Sequence, residues 1–425
     1  MQRAFFAEHK EIWVDDMEEK KLCTGLSVTA IILIALSALV MNLNSANGSM
    51  YGVEASFYGL PFIAAFAIPL LVILILLSHY IKKTDTMEDM IAAIAVRYVI
   101  FGWFFIFVMK FAAAAMYAFC YDFFTEHYST IYLILNSFNV CVIGTLVLGF
   151  ALRDIPKVKI EKRKMRVGQL LLLIMMMYGL TQVGSMMGMP IDLALSAFNT
   201  DDKSASTDLS TLLFGSNVPV VIICVGILPA IFEELLFRKF LIDRTLRYGE
   251  FISCAMSGIM FGLWHGNFQQ FFFTFFIGVM FAFVYIRTGN IIYTMIMHAS
   301  MNLVTSAVTL QLFAKFMEKA GYDPDTGTIS KIEDYDAFMS SVVPIILVIF
   351  LWVAILVSFQ IVGFIMLIVK RRNFKLITLA GEPGRKVILH NMTHSIYMWV
   401  FFAFAIMLFL NSYLPDILVF FMSRS

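Results

Sequence analysis

Two adjacent carboxylates lie within an apolar stretch of the chain. Glu233 and Glu234 fall between Val218 and Arg238, in a segment whose other side chains are almost all apolar. A charged side chain in a membrane span is costly and marks a functional site by default. Glu234 and Arg238 are four residues apart, so on a helix they share a face and can pair. Glu233 is turned by about 100° and is predicted to face another helix.

Two further residue pairs follow, again at a spacing of four, and each contains a histidine. His265 comes four residues after Phe261, and Asn302 comes four residues after His298. These two histidines are the ones in the interior of apolar segments. If the chain turns at Gly249, an antiparallel helix pair brings Glu233 and His265 to equal depth, because each is 16 residues from the turn. His298 enters from the same side, and the sequence predicts one polar pocket.

The residue types in this pocket suit the hydrolysis of an amide without a serine or cysteine nucleophile. A buried carboxylate beside imidazoles is a general base for water, and an imidazole with a carboxamide can bind a developing oxyanion. In a second scheme Glu233, His265 and His298 form a catalytic zinc set. Both schemes stay open at this point.

The elements that must position these residues are membrane helices. The chain has 425 residues, of which 60% are hydrophobic and only 14% charged, whereas a soluble protein has about a quarter charged residues. Net charge is +1, which gives no electrostatic footprint for nucleic acid. We therefore expect an all-α polytopic membrane protein with about eleven spans. The predicted spans are 24–43, 58–81, 92–120, 130–152, 168–189, 217–240, 251–266, 268–286, 291–313, 341–369 and 388–412.

The placement of basic residues predicts the orientation of these spans. Lysines and arginines cluster in alternate connections, while the connections between them are acidic or neutral. By the positive-inside rule the N-terminus is cytoplasmic and, with eleven spans, the C-terminus lies outside. The basic clusters are Lys20–Lys21, Lys82–Lys83, Arg153–Arg166, Lys239–Arg247, Arg287 and Lys370–Lys386, and the acidic ones are Asp122–Glu126, Asp192–Asp208 and Tyr322–Asp336.

The three motifs together resemble a known family. Glu233-Glu234-x-x-x-Arg238, then Phe261-x-x-x-His265, then His298-x-x-x-Asn302 on successive membrane helices are similar to the CAAX protease and bacteriocin-processing (CPBP, Abi) intramembrane endopeptidases. The likeness covers roughly residues 165–313.

The resemblance implies a catalytic helical core and a role for each motif residue. Glu233 would activate water with help from His265, His298 and Asn302 would hold the oxyanion, and Glu234 and Arg238 would support the site. It leaves open whether Zn²⁺ is used or whether the mechanism is metal-free. Around the core at 165–313, residues 1–164 form about four N-terminal spans, and residues 314–425 form an outer loop with two spans. The resemblance implies no role for either flanking unit.

These observations lead to an intramembrane endopeptidase as the first functional hypothesis. Its substrate would be a membrane-associated or lipid-linked peptide or protein, cleaved near the cytoplasmic side, and its location a bacterial plasma membrane. A second hypothesis is an ion- or proton-coupled secondary transporter that uses the carboxylates as a relay. A third is an inactive family member that serves as a membrane scaffold. The sequence does not indicate an oligomeric state.

Overall fold

The computed structural model describes residues 2–51, 60–81, 86–198, 213, 216–323, 328–329, 334–378 and 382–422. Lys82, Lys83 and most of the acidic connection 192–208 lie outside this part of the chain. The helices are α1 Gln2–Tyr51, α2 Leu60–Tyr80, α3 Met87–Phe119, α4 Tyr121–Glu126, α5 Tyr128–Ala151, α6 Val167–Ser196, α7 Val218–Tyr248, α8 Glu250–Trp264, α9 Phe268–Thr288, α10 Ile291–Lys319, α11 Tyr335–Lys370, α12 Arg385–His394 and α13 Ile396–Met422. A two-residue antiparallel pair, β1 Tyr322–Asp323 and β2 Thr328–Ile329, lies between α10 and α11.

Ten of the described helices are long and apolar enough to cross a membrane. The prediction of an all-α polytopic membrane protein is therefore confirmed. The span predicted at 251–266 corresponds to α8, which has only 15 residues. A helix of that length rises about 22 Å, less than the ~30 Å hydrocarbon core of a bilayer. Helix α8 alone is therefore shorter than the hydrocarbon core, and the connection that carries His265 follows it directly.

Helix α7 departs from regular α-helical geometry next to the glutamates. Its turns at Ile222–Ile227 are π-helical and end two residues before Pro229. In a π-helix the donor at position 229 would reach the carbonyl of Cys224, but proline has no N–H. The hydroxyl of Ser137, on α5, donates to that carbonyl at 3.1 Å instead. The proline thus creates a local irregularity that a neighbouring helix satisfies.

Glycines allow several helices of the core to approach closely. A Cβ at Gly179 of α6 would overlap the backbone of Gly363 and Phe364 on α11. On the same helix, a Cβ at Gly184 or Gly188 would overlap the backbone at the start of α9. Small residues at such positions let backbones pack together in a membrane, where no water drives helices into contact. Helix α6 is consequently held between α9 and α11.

Two arginines join the N-terminal spans to α7. Arg97 of α3 donates to the carbonyl of Ala151 at 2.8 Å and pairs with Asp154 at 2.6 Å. Arg244 of α7 donates through Nε and Nη2 to the carbonyl of Leu152. Both guanidinium groups bind carbonyls that the end of α5 leaves without helical partners, a position that favours cations. Spans from either side of residue 165 thus share one junction.

Most of the predicted basic connections meet at one face of the molecule. The extended segment 156–166 follows α5 and runs along the ends of α7 and α9. Its Val158 N–H donates to the carbonyl of Asp243 at 2.6 Å, and its Arg163 N–H donates to that of Thr288 at 2.7 Å. Arg287 adds a hydrogen bond to the carbonyl of Lys375. We call this face, formed by residues 153–166, 243–250, 287–290 and 370–378, the basic face.

Candidate active site

Helix α7 places a fully buried ion pair at the centre of the site. Arg238 Nε lies 3.2 Å from Glu234 Oε2, and neither side chain is accessible to solvent. The guanidinium group also stacks on two aromatic rings, 4.4 Å from the centroid of Phe261 and 5.1 Å from that of Phe281. Such cation–π contacts help to compensate a buried cation. The predicted pairing of Glu234 with Arg238 is present.

His298 of α10 lies between the two carboxylates. Its Nδ1 is 3.0 Å from Glu234 Oε1, and its Nε2 is 3.8 Å from Glu233 Oε2. Because a carboxylate only accepts, Nδ1 carries a proton in this arrangement and its hydrogen bond orients the ring. Glu234 therefore binds both Arg238 and His298, a second contact that the helical spacing did not predict. Glu233 keeps a partly exposed carboxylate, with 15% of its side chain accessible.

His265 directly follows Trp264, the last residue of α8, as its C-cap. Its Nδ1 is 2.8 Å from the carbonyl oxygen of Phe261, which fixes the proton on Nδ1 and leaves a lone pair on Nε2. The ring lies at 90° to that of Phe261, with 5.0 Å between centroids. His265 lies within electrostatic range of both Glu233 and His298. His265 and Glu233 thus lie near one another, as the equal-depth argument about Gly249 predicts, while their catalytic roles stay predictions.

Asn302 lies one helical turn beyond His298 on α10. It is half-buried, and its own carbonyl accepts a hydrogen bond from Ser306 at 2.7 Å. Within the described residues its carboxamide makes no hydrogen bond to Glu233, His265 or His298. Of the predicted residues, the structure brings five into one cluster and leaves Asn302 adjacent to it on the same helix.

The donor set predicted for zinc does not converge. Among the described residues, no group of three or more histidine, cysteine, aspartate or glutamate side chains is arranged to hold a metal ion. His265 turns its Nδ1 to a carbonyl and His298 turns its Nδ1 to Glu234, so these two contacts leave both Nε2 atoms for other partners. Glu233, His265 and His298 do not form a three-ligand group in this geometry, and the use of Zn²⁺ stays a prediction.

Sequence reasoning missed two residues that support the cluster. Thr294, fully buried one turn before His298, lies within hydrogen-bonding reach of Glu234 and also donates to the carbonyl of Ile291 at 2.9 Å. Tyr98 of α3 donates to the carbonyl of Leu236, just after the glutamates. Thr294 could have been predicted, because it is four residues before His298 and therefore shares its helix face. Tyr98 is 138 residues from its partner, so no local pattern could have indicated it.

An apolar cavity of about 620 Å³ adjoins the connection that carries His265. Leu263 and Phe268 form its wall on either side of that connection, and α13 forms the opposite wall. Almost no polar surface lines it. The cavity could therefore hold an apolar chain next to the polar cluster.

Comparison with known proteins identifies the segment that contains the cluster. Residues 215–304 match the family described as type II CAAX prenyl endopeptidase Rce1-like. No curated protein and no solved structure matches the chain. The matched segment includes all three motifs, so the resemblance to the CAAX proteases is confirmed. The family indicates a protease of the CAAX type in a membrane.

Proposed function

We propose, taking the CAAX-protease match of residues 215–304 as the premise, that this protein is an intramembrane endopeptidase in which Glu233 activates water. One observation carries the assignment. Glu234 is engaged by both Arg238 and His298, whereas the carboxylate of Glu233 is partly accessible and has the two imidazoles as neighbours. Of the two glutamates, Glu233 is therefore the one that can receive a proton from a water molecule.

The proposed reaction balances protons within the cluster. Glu233 takes one proton from water while the oxygen attacks the carbonyl carbon of the peptide, and the tetrahedral intermediate carries a negative oxygen. Glu233 then gives the proton to the leaving nitrogen. His265 Nε2 carries a lone pair and assists by accepting a hydrogen bond from the water. The products are a carboxylic acid and an amine, and transfer of the acid's proton to the amine gives a carboxylate and an ammonium group.

His298 is proposed to stabilise the oxyanion with Asn302. When both its nitrogens are protonated, Nδ1–H donates to Glu234 and Nε2–H is free to donate to the oxyanion. In that form the charges of Glu233, Glu234, Arg238 and His298 sum to zero, which suits a buried cluster. Asn302 would add its carboxamide when substrate is bound. No step is assigned to a metal, because the donors do not converge.

The cavity beside the connection that carries His265 supports a proposed substrate class. A membrane-associated or lipid-linked peptide could place an apolar chain in the 620 Å³ cavity and its scissile bond at the cluster. The matched family is named for prenylated CAAX termini, and a peptide of this kind is the first substrate to test. We further propose a bacterial plasma membrane as the location, with the N-terminus inside.

The test is cleavage by the purified protein in lipid nanodiscs. The probe is a quenched fluorescent peptide ending in a farnesylated CAAX sequence, with the unprenylated peptide beside it. Replacing the general base should lower kcat by about 10²–10⁴-fold in the Glu233→Gln variant. The control is Glu161→Gln, which removes an exposed carboxylate outside the cluster and should leave kcat unchanged.

The peptidome of membranes containing wild type or Glu233→Gln extends the test to other substrates. If the wild type cleaves no probe and the two peptidomes are identical, the endopeptidase proposal is wrong. A proton or cation flux in proteoliposomes that persists in His298→Ala would instead support transport.

A further inference from the structure

The connection that carries His265 is held by hydrogen bonds among its own residues and the first turn of α9. It consists of His265, Gly266 and Asn267, between α8 and α9, and Gly266 has φ of +66°. The Asn267 side chain donates to the carbonyl of His265 at 2.9 Å and accepts from the N–H of Gln270 at 2.8 Å. Asn267 therefore caps α9 and is already engaged on its accepting side.

The next donor in the turn needs a partner from elsewhere. The N–H of Phe268 belongs to the first turn of α9, where a helix provides no acceptor. The hydroxyl of Tyr413, on α13, accepts this N–H at 2.8 Å. The same hydroxyl donates to Asp192 Oδ1, on α6, at 2.9 Å. Three helices thus meet at one phenolic oxygen, three residues along the chain from His265.

Apolar packing also holds the connection against α13. Gly266 lies against Leu408, leaving no room for a Cβ, and the ring of Phe268 packs on that of Phe409 with 4.8 Å between centroids. From the other side, Gly188 of α6 lies against the carbonyl of Phe268. Asp192 is one turn beyond Gly188, so one face of α6 provides both the close approach and the carboxylate. The connection is enclosed on two sides.

We infer that Tyr413 and Asp192, which both lie outside the matched segment, are positioning residues that set the place of His265 relative to Glu233. Tyr413 fixes the start of α9, and Asp192 fixes the direction of the Tyr413 hydroxyl proton, so that its oxygen faces Phe268. Catalytic groups must be held to within about 0.5 Å, and a displacement of about 1 Å can cost 10²-fold in rate. The role in catalysis rests on the proposed function, whereas the hydrogen bonds of Tyr413 to Phe268 and Asp192 are observed independently of it.

The matched variants are Tyr413→Phe, which removes only the hydroxyl, and Ser412→Ala. Ser412 is the neighbouring residue, and its hydroxyl donates to the carbonyl of Leu408 on its own helix rather than to a residue of the connection. Hydrogen–deuterium exchange by mass spectrometry should show faster exchange in peptides covering 264–271 for Tyr413→Phe. Ser412→Ala should leave that exchange unchanged. This measurement needs no substrate.

Activity on the farnesylated probe gives the second readout. Tyr413→Phe should lower kcat about 10-fold or more with little change in KM, because the ring still lines the apolar cavity. Asp192→Ala should act in the same way, whereas Asp192→Asn keeps an acceptor oxygen and should restore most of kcat.

Unchanged exchange at 264–271 in Tyr413→Phe would overturn the inference. So would faster exchange with wild-type kcat, because the hydrogen bonds of Tyr413 would then not position His265. An inactive wild type would contradict the proposed function, while the exchange result would still decide whether Tyr413 holds the connection.

Discussion

At the scale of single residues, the two glutamates differ in what their charge holds in place. Glu234 is fully buried and has Arg238 and His298 as partners, whereas Glu233 is partly accessible. Removing one partner of a buried ion pair leaves an uncompensated charge, which costs more than the pair itself contributes. Substitution of Glu234 should therefore mainly reduce stability, whereas substitution of Glu233 should mainly reduce cleavage.

We expect Glu234→Gln to destabilise the fold by about 3–5 kcal/mol, since the guanidinium of Arg238 would remain buried without a carboxylate. Glu233→Gln should change stability by less than about 1 kcal/mol while lowering kcat by about 10²–10⁴-fold. Reversible unfolding in mixed micelles, followed by tryptophan fluorescence, measures the first quantity. Equal destabilisation by the two substitutions would contradict the division of roles.

The pairing of Glu234 with Arg238 could be predicted because both residues are on one helix. The contact of His298 with Glu234 could not, because helical spacing fixes which residues share a face but not how α10 is rotated about its axis. The same limit applies to Tyr413, which is 145 residues from its partner Phe268. Polar residues were found by type and spacing, whereas their partners across helices required the packed structure.

At the scale of elements, the position of α6 depends on glycines at two crossings. A Cβ at Gly184 would overlap the backbone of Phe273, which cannot rotate away as a side chain could. Gly168, near the start of the same helix, has open space where a Cβ would lie, with no neighbouring atom within 4 Å. The two glycines provide a matched pair on one helix.

Gly184→Ala should reduce the free energy of unfolding by about 1–3 kcal/mol, because α6 and α9 must separate to admit the methyl group. Gly168→Ala should be neutral or slightly stabilising. Thermal unfolding of both variants in the same detergent makes the comparison. If Gly184→Ala is as stable as Gly168→Ala, the close packing of α6 on α9 is not required.

Span lengths and their apolar character were predictable, since hydropathy follows composition. The local irregularities of α7 could be predicted only in part. Pro229 indicates a missing donor, but the π-helical turns and the hydroxyl of Ser137 that serves the Cys224 carbonyl depend on α5 being adjacent. The short α8 was predicted as a full span of 16 residues, and the structure ends it at Trp264.

At the scale of the whole molecule, the depth of the site can be read from helix rise. Glu233 and His265 are each 16 residues from Gly249 on the basic face, which corresponds to about 24 Å along straight helices. This distance exceeds half of the ~30 Å hydrocarbon core. We therefore expect the end of α8 to lie nearer the face opposite the basic face, whereas the sequence analysis predicts cleavage near the cytoplasmic side. Asp192, Asn267, Gln269 and Tyr413, all polar, gather around this end.

This geometry predicts opposite labelling of two cysteines in a background that lacks the five native ones. Lys159→Cys lies on the exposed extended segment of the basic face, and Gln269→Cys lies at the exposed start of α9. With the basic face cytoplasmic by the positive-inside rule, a membrane-impermeant maleimide should label Gln269→Cys in whole cells and Lys159→Cys only in inverted vesicles. Labelling of both from one side would contradict the depth argument, because the two positions would then share a face. Labelling of Lys159→Cys alone in whole cells would keep the depth and reverse the orientation, which would return the His265 end of the site to the cytoplasmic side.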